Sequence, residues 1–246
     1  MRKYFFITSK LIFTILFINN IEAQSDIKKD DLYETFDKIV GVEVSGLYNG
    51  IQYNNEYIVL DEKHQFLETD EFLEGFIGYD GQDYYGTYMK YDLFYDEIIV
   101  RPQNSSSGLA FKIIKSLVDE FSLNSKRFIN IKALNSKTNE PFGYCELLSE
   151  TEFFNLYKKY KKKPAKKARS GKIFYEFNQS STYYLKYGNE YNPVTTRNDL
   201  ISIFPDYKSV IKDYYKGYRQ LLKSDQDTFI KLLIARLNEL EQLKTA

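Results

Sequence analysis

Residues 74–102, EGFIGYDGQDYYGTYMKYDLFYDEIIVRP, carry the pattern that decides the fold. Asp80-Gly81 lies between two aromatic and β-branched runs, GFIGY and QDYYGTYMKYDLF. An Asp-Gly pair accepts the positive φ angles of a two-residue hairpin turn, so it predicts two antiparallel strands. Asp96-Glu97 turns the chain again into IIVRP, giving a meander over 74–102. Upstream, Asn49-Gly50 carries the same signal between Leu47-Tyr48 and Ile51-Gln52 and predicts another hairpin.

Downstream, residues 103–108 (QNSSSG) read as a loop. Strands are expected at 109–114, 118–123, 127–134 and 142–148, with turns at Asn124-Ser125 and over 135–140. Residues 153–160 mix rings with lysines; strand is favoured over helix because Ser149-Glu150-Thr151 looks like a turn. A hairpin over 182–194, turned at 187–190, ends the β-rich part.

After Val194 the period becomes helical. Thr196 with Asp199 three residues on forms a capping pair, and Leu200, Ile203 and Phe204 give the first helix its apolar face. Pro205 suits the start of a second helix over 205–216, carrying Val210, Ile211 and Tyr214. Ser224 with Asp225 and Asp227 caps a third, whose stripe is Phe229, Leu232, Leu233, Leu237 and Leu240. Strands first and helices last make an α+β fold: an antiparallel β-meander sheet, free to curve strongly, then about three helices packed on it.

The N-terminus reads as an address. Arg2 and Lys3 precede an apolar run over 11–18, and Ile21-Glu22-Ala23 ends in a small residue, the layout of a cleaved signal peptide. A run of eight residues falls short of the roughly 20 a spanning helix needs. The expected organisation is a signal peptide at 1–23, a lead-in segment at 24–40, a β-rich domain at 41–194 and a helical region at 195–246. No cysteine follows the signal segment to take a lipid, so the expected location is periplasmic or outer-membrane-associated. No transmembrane segment is expected in the mature chain.

The whole chain holds 34 basic and 34 acidic residues. The signal segment removes three basic residues (Arg2, Lys3, Lys10) and one acidic (Glu22), leaving 31 against 33, a net charge of −2. Near neutrality argues against a nucleic-acid binder. The 23 Tyr and 19 Phe, without any Trp, fit ring packing in a β-rich core better than a sugar-stacking platform. Cys145 is the only cysteine, so no intramolecular disulfide can form.

No cofactor, metal or nucleophile motif fixes a reaction. His64, the only histidine, is expected at the surface or a strand edge, and Cys145 as a buried small hydrophobe. Asp80, Asp83, Asp92, Asp96 and Glu97 cluster around the meander turns, where Asp bonds the nearby backbone. A pair of them is the weaker candidate for acid–base glycan hydrolysis. The twelve-residue calcium-loop pattern is absent. The strongest local charge is 158–172, KKYKKKPAKKARSGK, expected as an exposed loop or hairpin tip. Lys158, Lys159, Lys161, Lys162, Lys163, Lys166, Lys167 and Arg169 are its candidate binding residues, suited to an anionic envelope surface or an acidic envelope protein.

The order of motifs resembles a family of secreted β-rich proteins of Bacteroidota-type bacteria to which no activity is assigned. The shared features are LYNG at 47–50, His64 to Phe66, G-x-I-x-YDGQ-x-Y from Gly75 through Tyr84, YDLFYDEIIV at 91–100, a Lys-rich segment and YYLKYGNEY at 183–191. They span about 45–243, and the chain departs from the pattern in its long basic insert and dense aromatics. The resemblance implies an envelope location and no classical hydrolase activity; it transfers no catalytic residue. The expectation is an exported, non-enzymatic protein with a binding or accessory role. The alternatives are a carboxylate-based glycan hydrolase and a carrier of a small apolar ligand between sheet and helices.

Overall fold

The computed structural model describes residues 46–59, 62–102 and 108–245. The expected signal peptide, the lead-in segment and residues 103–107 of the polar loop lie outside them. Eleven strands form one sheet: β1 (Ile51–Gln52), β2 (Leu73–Tyr79), β3 (Gln82–Asp92), β4 (Glu97–Arg101), β5 (Phe111–Lys112), β6 (Val118–Leu123), β7 (Lys126–Leu134), β8 (Pro141–Glu150), β9 (Phe154–Arg169), β10 (Lys172–Tyr187) and β11 (Glu190–Pro193). Their order is β1-β5-β4-β3-β2-β6-β7-β8-β9-β10-β11, every strand pair is antiparallel, and the sheet is not closed. One meander runs from β2 to β5; the chain then returns to the far side of β2 and a second meander runs to β11.

Asp80-Gly81, Asn124-Ser125 and Ser170-Gly171 each have both turn residues at positive φ. That backbone twist matches the strands it joins, which is why these pairs make two-residue turns. Asn49-Gly50 does not. Gly46–Tyr48 is a 3₁₀ turn that buries Leu47, and Ile51–Gln52 pairs with β5. A Cβ on Gly50 would stand 2.0 Å from the Lys112 carbonyl oxygen, so this glycine serves a close strand approach. The strand expected at 109–114 is only Phe111–Lys112, followed by a 3₁₀ turn at Lys115–Leu117.

The sheet curls. Lys162 N in β9 donates to Leu93 O just past β3 at 3.2 Å, although four strands lie between these two in the sheet order. Tyr91, Phe121, Phe128 and Tyr144 fill the space inside the curl. Phe121 and Phe128 stack at 4.7 Å, and Tyr91 meets both edge-on. The dense aromatics thus act as core.

Four helices follow: α1 (Arg197–Ile203), α2 (Lys208–Gly217), the short α3 (Arg219–Ser224) and α4 (Gln226–Thr245). Thr196 and Asp199 close the expected capping box on α1, and Pro205 opens a 3₁₀ turn leading into α2. Two details differ from the sequence reading. Ser224 ends α3, its hydroxyl donating back to Gln220 O, while Asp225 accepts from Thr228 N in the first turn of α4. The buried face of α4 is Phe229, Ile230, Leu233, Ile234 and Leu237, with Leu232 turned to solvent. Four-residue steps from Phe229 and Ile230 reach 233, 234 and 237, and position 232 falls outside the arc these residues share. The helices cover Phe154, Leu156, Tyr183 and Leu185 of the β9–β10 hairpin. The Asp227 carboxylate fastens α4 there, accepting from Lys158 Nζ at 2.6 Å and Tyr183 Oη at 2.5 Å. Among the described residues, no helix is long and apolar enough to cross a membrane.

Candidate functional site

Of the two forms expected for the basic run, the structure has the hairpin and not the loop. Residues 158–169 lie within β9, sixteen residues long, which pairs with β10 over its full length without a register shift. Only Ser170-Gly171 turns the hairpin. Pro164 is tolerated because its backbone nitrogen points away from β10. Lys162, two residues earlier, directs its N–H to Leu93 on that same side. On its other edge the hairpin is held by Tyr175 N donating to Ile58 O and Phe177 N to Lys63 O, both at 2.9 Å. The Tyr57 ring wedges against Tyr175 and Phe177 at 5.0 and 5.1 Å and shares a 2.7 Å hydroxyl contact with Tyr95.

Inside this frame the candidate lysines divide. Lys158 pairs with Asp227. Lys159 is buried, its ammonium donating to Asp96 Oδ1 at 2.7 Å and to Tyr144 O at 3.0 Å. Asp96 also accepts from Tyr91 Oη at 2.5 Å and from Lys115. Burial alone would raise the Asp96 pKa, but the two ammonium groups outweigh it and hold the carboxyl below its ordinary range. Gly143, at φ +69°, leaves room for this cluster: a Cβ there would stand 2.1 Å from Asp96 Oδ2. Lys162 Nζ caps the carbonyls of His64 and Phe66 at 2.8 and 2.6 Å.

Lys161, Lys163, Lys166, Lys167 and Arg169 are exposed, and none has an ion-pair partner among the described residues. Strand alternation and the unbroken register put Lys161, Lys163, Lys167 and Arg169 on one face, with cross-strand Ser180, Asn178, Phe174 and Lys172. Successive same-face positions step by roughly 6.5 Å. The acid on that face, Glu176, pairs with Lys63 at 3.2 Å. Lys166 lies on the other face, opposite Tyr175.

The basic face runs into a groove. Three adjoining cavities of about 390, 160 and 280 Å³ share Phe142 in their walls. The smallest is lined by Lys159, Lys161, Ser180 and Thr182, with Tyr184 and Asn135 beyond. The others continue past Tyr191 to Asn189 and Asn192. Phe142 meets the Tyr184 ring edge-on at 4.8 Å and lies 5.1 Å from Tyr191. The walls carry acids as well, Glu140 and Glu190.

The acidic candidates separate. Asp80 and Asp83 sit exposed at the β2–β3 turn, and β3 itself spans about 30 Å to Asp92 and Asp96 at its other end. Asp92 is buried, and its Oδ1 accepts from Phe94 N at 2.8 Å and Tyr95 N at 3.0 Å. Burial lifts its pKa to about 6 against the pull of those bonds. Glu97 pairs with Lys112 at 2.8 Å. His64 is buried, a correction to its expected surface or edge position. Its Nδ1 accepts from Phe66 N at 3.2 Å, and burial followed by the Lys162 charge lowers its pKa. Cys145 is fully buried, and burial pushes its thiol up to about 12, which leaves it unreactive. Among the described residues, no three His, Cys, Asp or Glu side chains gather as metal ligands.

Sequence reading singled out neither Lys172 nor any groove residue other than Lys159 and Lys161. Cross-strand register would have found Lys172. No local signal marks Asn135, Phe142, Tyr184 and Tyr191, which meet only when strands 7 to 11 assemble. No family profile, no curated protein and no solved structure matches this chain.

Proposed function

We propose that the chain is an exported, non-enzymatic binding protein of the cell envelope, engaging an anionic component through the outer face of the β9–β10 hairpin. One observation carries the reading: Lys161, Lys163, Lys167, Arg169 and Lys172 share one face of a braced two-stranded arm on a chain of near-zero net charge. Cations spent on stability sit against acids or carbonyls, as Lys158, Lys159 and Lys162 do. These five do not. The non-enzymatic half of the proposal is supported by the placement of Asp92, which caps N–H groups of the β3–β4 turn, and of Asp96, which is paired with Lys159 and Lys115. The space inside the curl, filled by rings, favours a surface binder over an apolar-ligand carrier. The export half rests on residues 1–23.

The test is fractionation of cells carrying wild type or a variant with Lys161, Lys163, Lys167, Arg169 and Lys172 all changed to Gln. Wild type should be recovered with envelope material and the variant should be released. Equal recovery of both, with the variant folded, would remove the reading. N-terminal sequencing of the exported form should begin at Gln24; retention of residues 1–23 would contradict cleavage.

A further inference from the structure

We infer that the ligand of this face is a linear acidic glycan, its charged groups along the hairpin and an uncharged part of the chain in the groove beside Tyr184. The inference rests on the anion-binding role proposed above. Two features of the molecule select this ligand over a bilayer.

The first is shape. The cations follow the line of one hairpin, at roughly 6.5 Å between alternate residues with one step of roughly 13 Å across Ala165, which suits a chain with spaced charges. A flat membrane surface would be met by a cluster spread over several elements. The second is continuity. Lys161 belongs both to the basic face and to the wall of the groove, where Ser180 stands opposite it and Thr182 and Tyr184 follow along β10. A linear chain leaving the lysines therefore enters a recess that a planar headgroup layer cannot.

The groove has the mixed chemistry a sugar requires. Tyr184 and Tyr191, backed by the buried Phe142, offer apolar ring surface, and Asn135, Thr182 and Asn192 offer amide and hydroxyl groups that both donate and accept. Glu190 lies in the cavity farther from the lysine stripe, and Glu140 shares the smallest cavity with Lys159 and Lys161. They would repel a carboxylate there, so the charged end of the ligand belongs on the lysines and its uncharged part in the groove. The hairpin is braced on both edges before any ligand arrives, so little backbone ordering is required on binding.

The experiment titrates the exported chain with three probes: a linear polyuronate oligomer, the same oligomer with its carboxyls methyl-esterified, and vesicles of anionic phospholipid. Amide hydrogen exchange is read in each case. The polyuronate should bind at least about tenfold more tightly than its neutral ester, weaken as salt screens the charges, and slow exchange in both 135–142 and 189–193. The five-Gln variant should lose at least about tenfold in affinity for it. Tyr191→Ala should weaken the polyuronate while leaving binding of a short inorganic polyphosphate unchanged. Protection confined to 161–172 would overturn the groove assignment and leave the basic-face reading standing. Binding to vesicles alone would overturn the glycan assignment. Binding of no anionic probe would sink both.

Discussion

The inner and outer halves of the β9–β10 hairpin draw their lysines from one run of sequence, and the fold spends them differently. In the inner half, Lys158 anchors α4 through Asp227 and Lys159 is buried against Asp96, while Lys162 ties the hairpin to the backbone of 64–66. In the outer half, Lys161, Lys163, Lys167 and Arg169 have no ion-pair partner among the described residues. Residue type is the same; what changes is whether another element reaches that residue's side chain, as the neighbours Lys161 and Lys162 show. A charge run in sequence therefore says nothing about its own use until the register of the strand beside it is known.

The comparison breaks most readily at Lys159. Lys159→Ala leaves Asp96 buried against Lys115 alone and should cost about 3–5 kcal/mol, read by urea unfolding. A loss below about 1 kcal/mol would mean the inner lysines are no more structural than the outer ones. The pair also sets an acid limit. Asp96 has a folded pKa below its unfolded value, so its contribution is present above about 4 and fades as pH falls through the folded value.

Asp92 carries the opposite sign. Its pKa rises on folding to about 6, so the folded state holds the extra proton and stability falls as pH climbs from about 4 to 6. Asp92→Asn keeps an oxygen for Phe94 N and Tyr95 N without the buried charge. It should stabilise by about 1–3 kcal/mol at pH 7.5 and by almost nothing at pH 4, measured as the Tm difference at the two pH values. A gain that is the same at both pH values would contradict the buried-charge explanation. Asp227→Asn, which weakens the seat of α4, should cost about 1–2 kcal/mol; no change would show that apolar contacts alone dock the helix. Each single outer change, Lys163→Gln or Lys167→Gln for example, should stay within about 0.5 kcal/mol of wild type.

Much of this architecture can be read from local signals. Asp80-Gly81 and Asn124-Ser125 announce their turns because two adjacent positive φ angles demand such residues. Thr196 and Asp199 announce α1 because orphan N–H groups need acceptors. Asn49-Gly50 misleads because glycine has a second use, the close approach of β1 to β5, which no local pattern distinguishes from a turn. Leu232 misleads in the stripe of α4 for a related reason. Its spacing from Phe229 is helical, but Ile230 and Ile234 claim the face toward the sheet. The basic run looks like a loop because lysines and Pro164 are poor strand formers. Its strand is imposed by sixteen cross-strand pairs with β10, a partner the run itself does not specify. The candidate groove is less legible still. Asn135, Phe142, Tyr184 and Tyr191 come from four places in the chain and share a wall only through the order of the last five strands.

Salt elution from an immobilised polyanion, run on folded wild type beside the folded variant with all five outer-face cations changed to Gln, tests the division of the hairpin most directly. The variant should unfold at the wild-type temperature yet leave the column at much lower salt. Elution of both proteins at the same salt concentration would contradict it, because the outer cations would then contribute to neither stability nor binding.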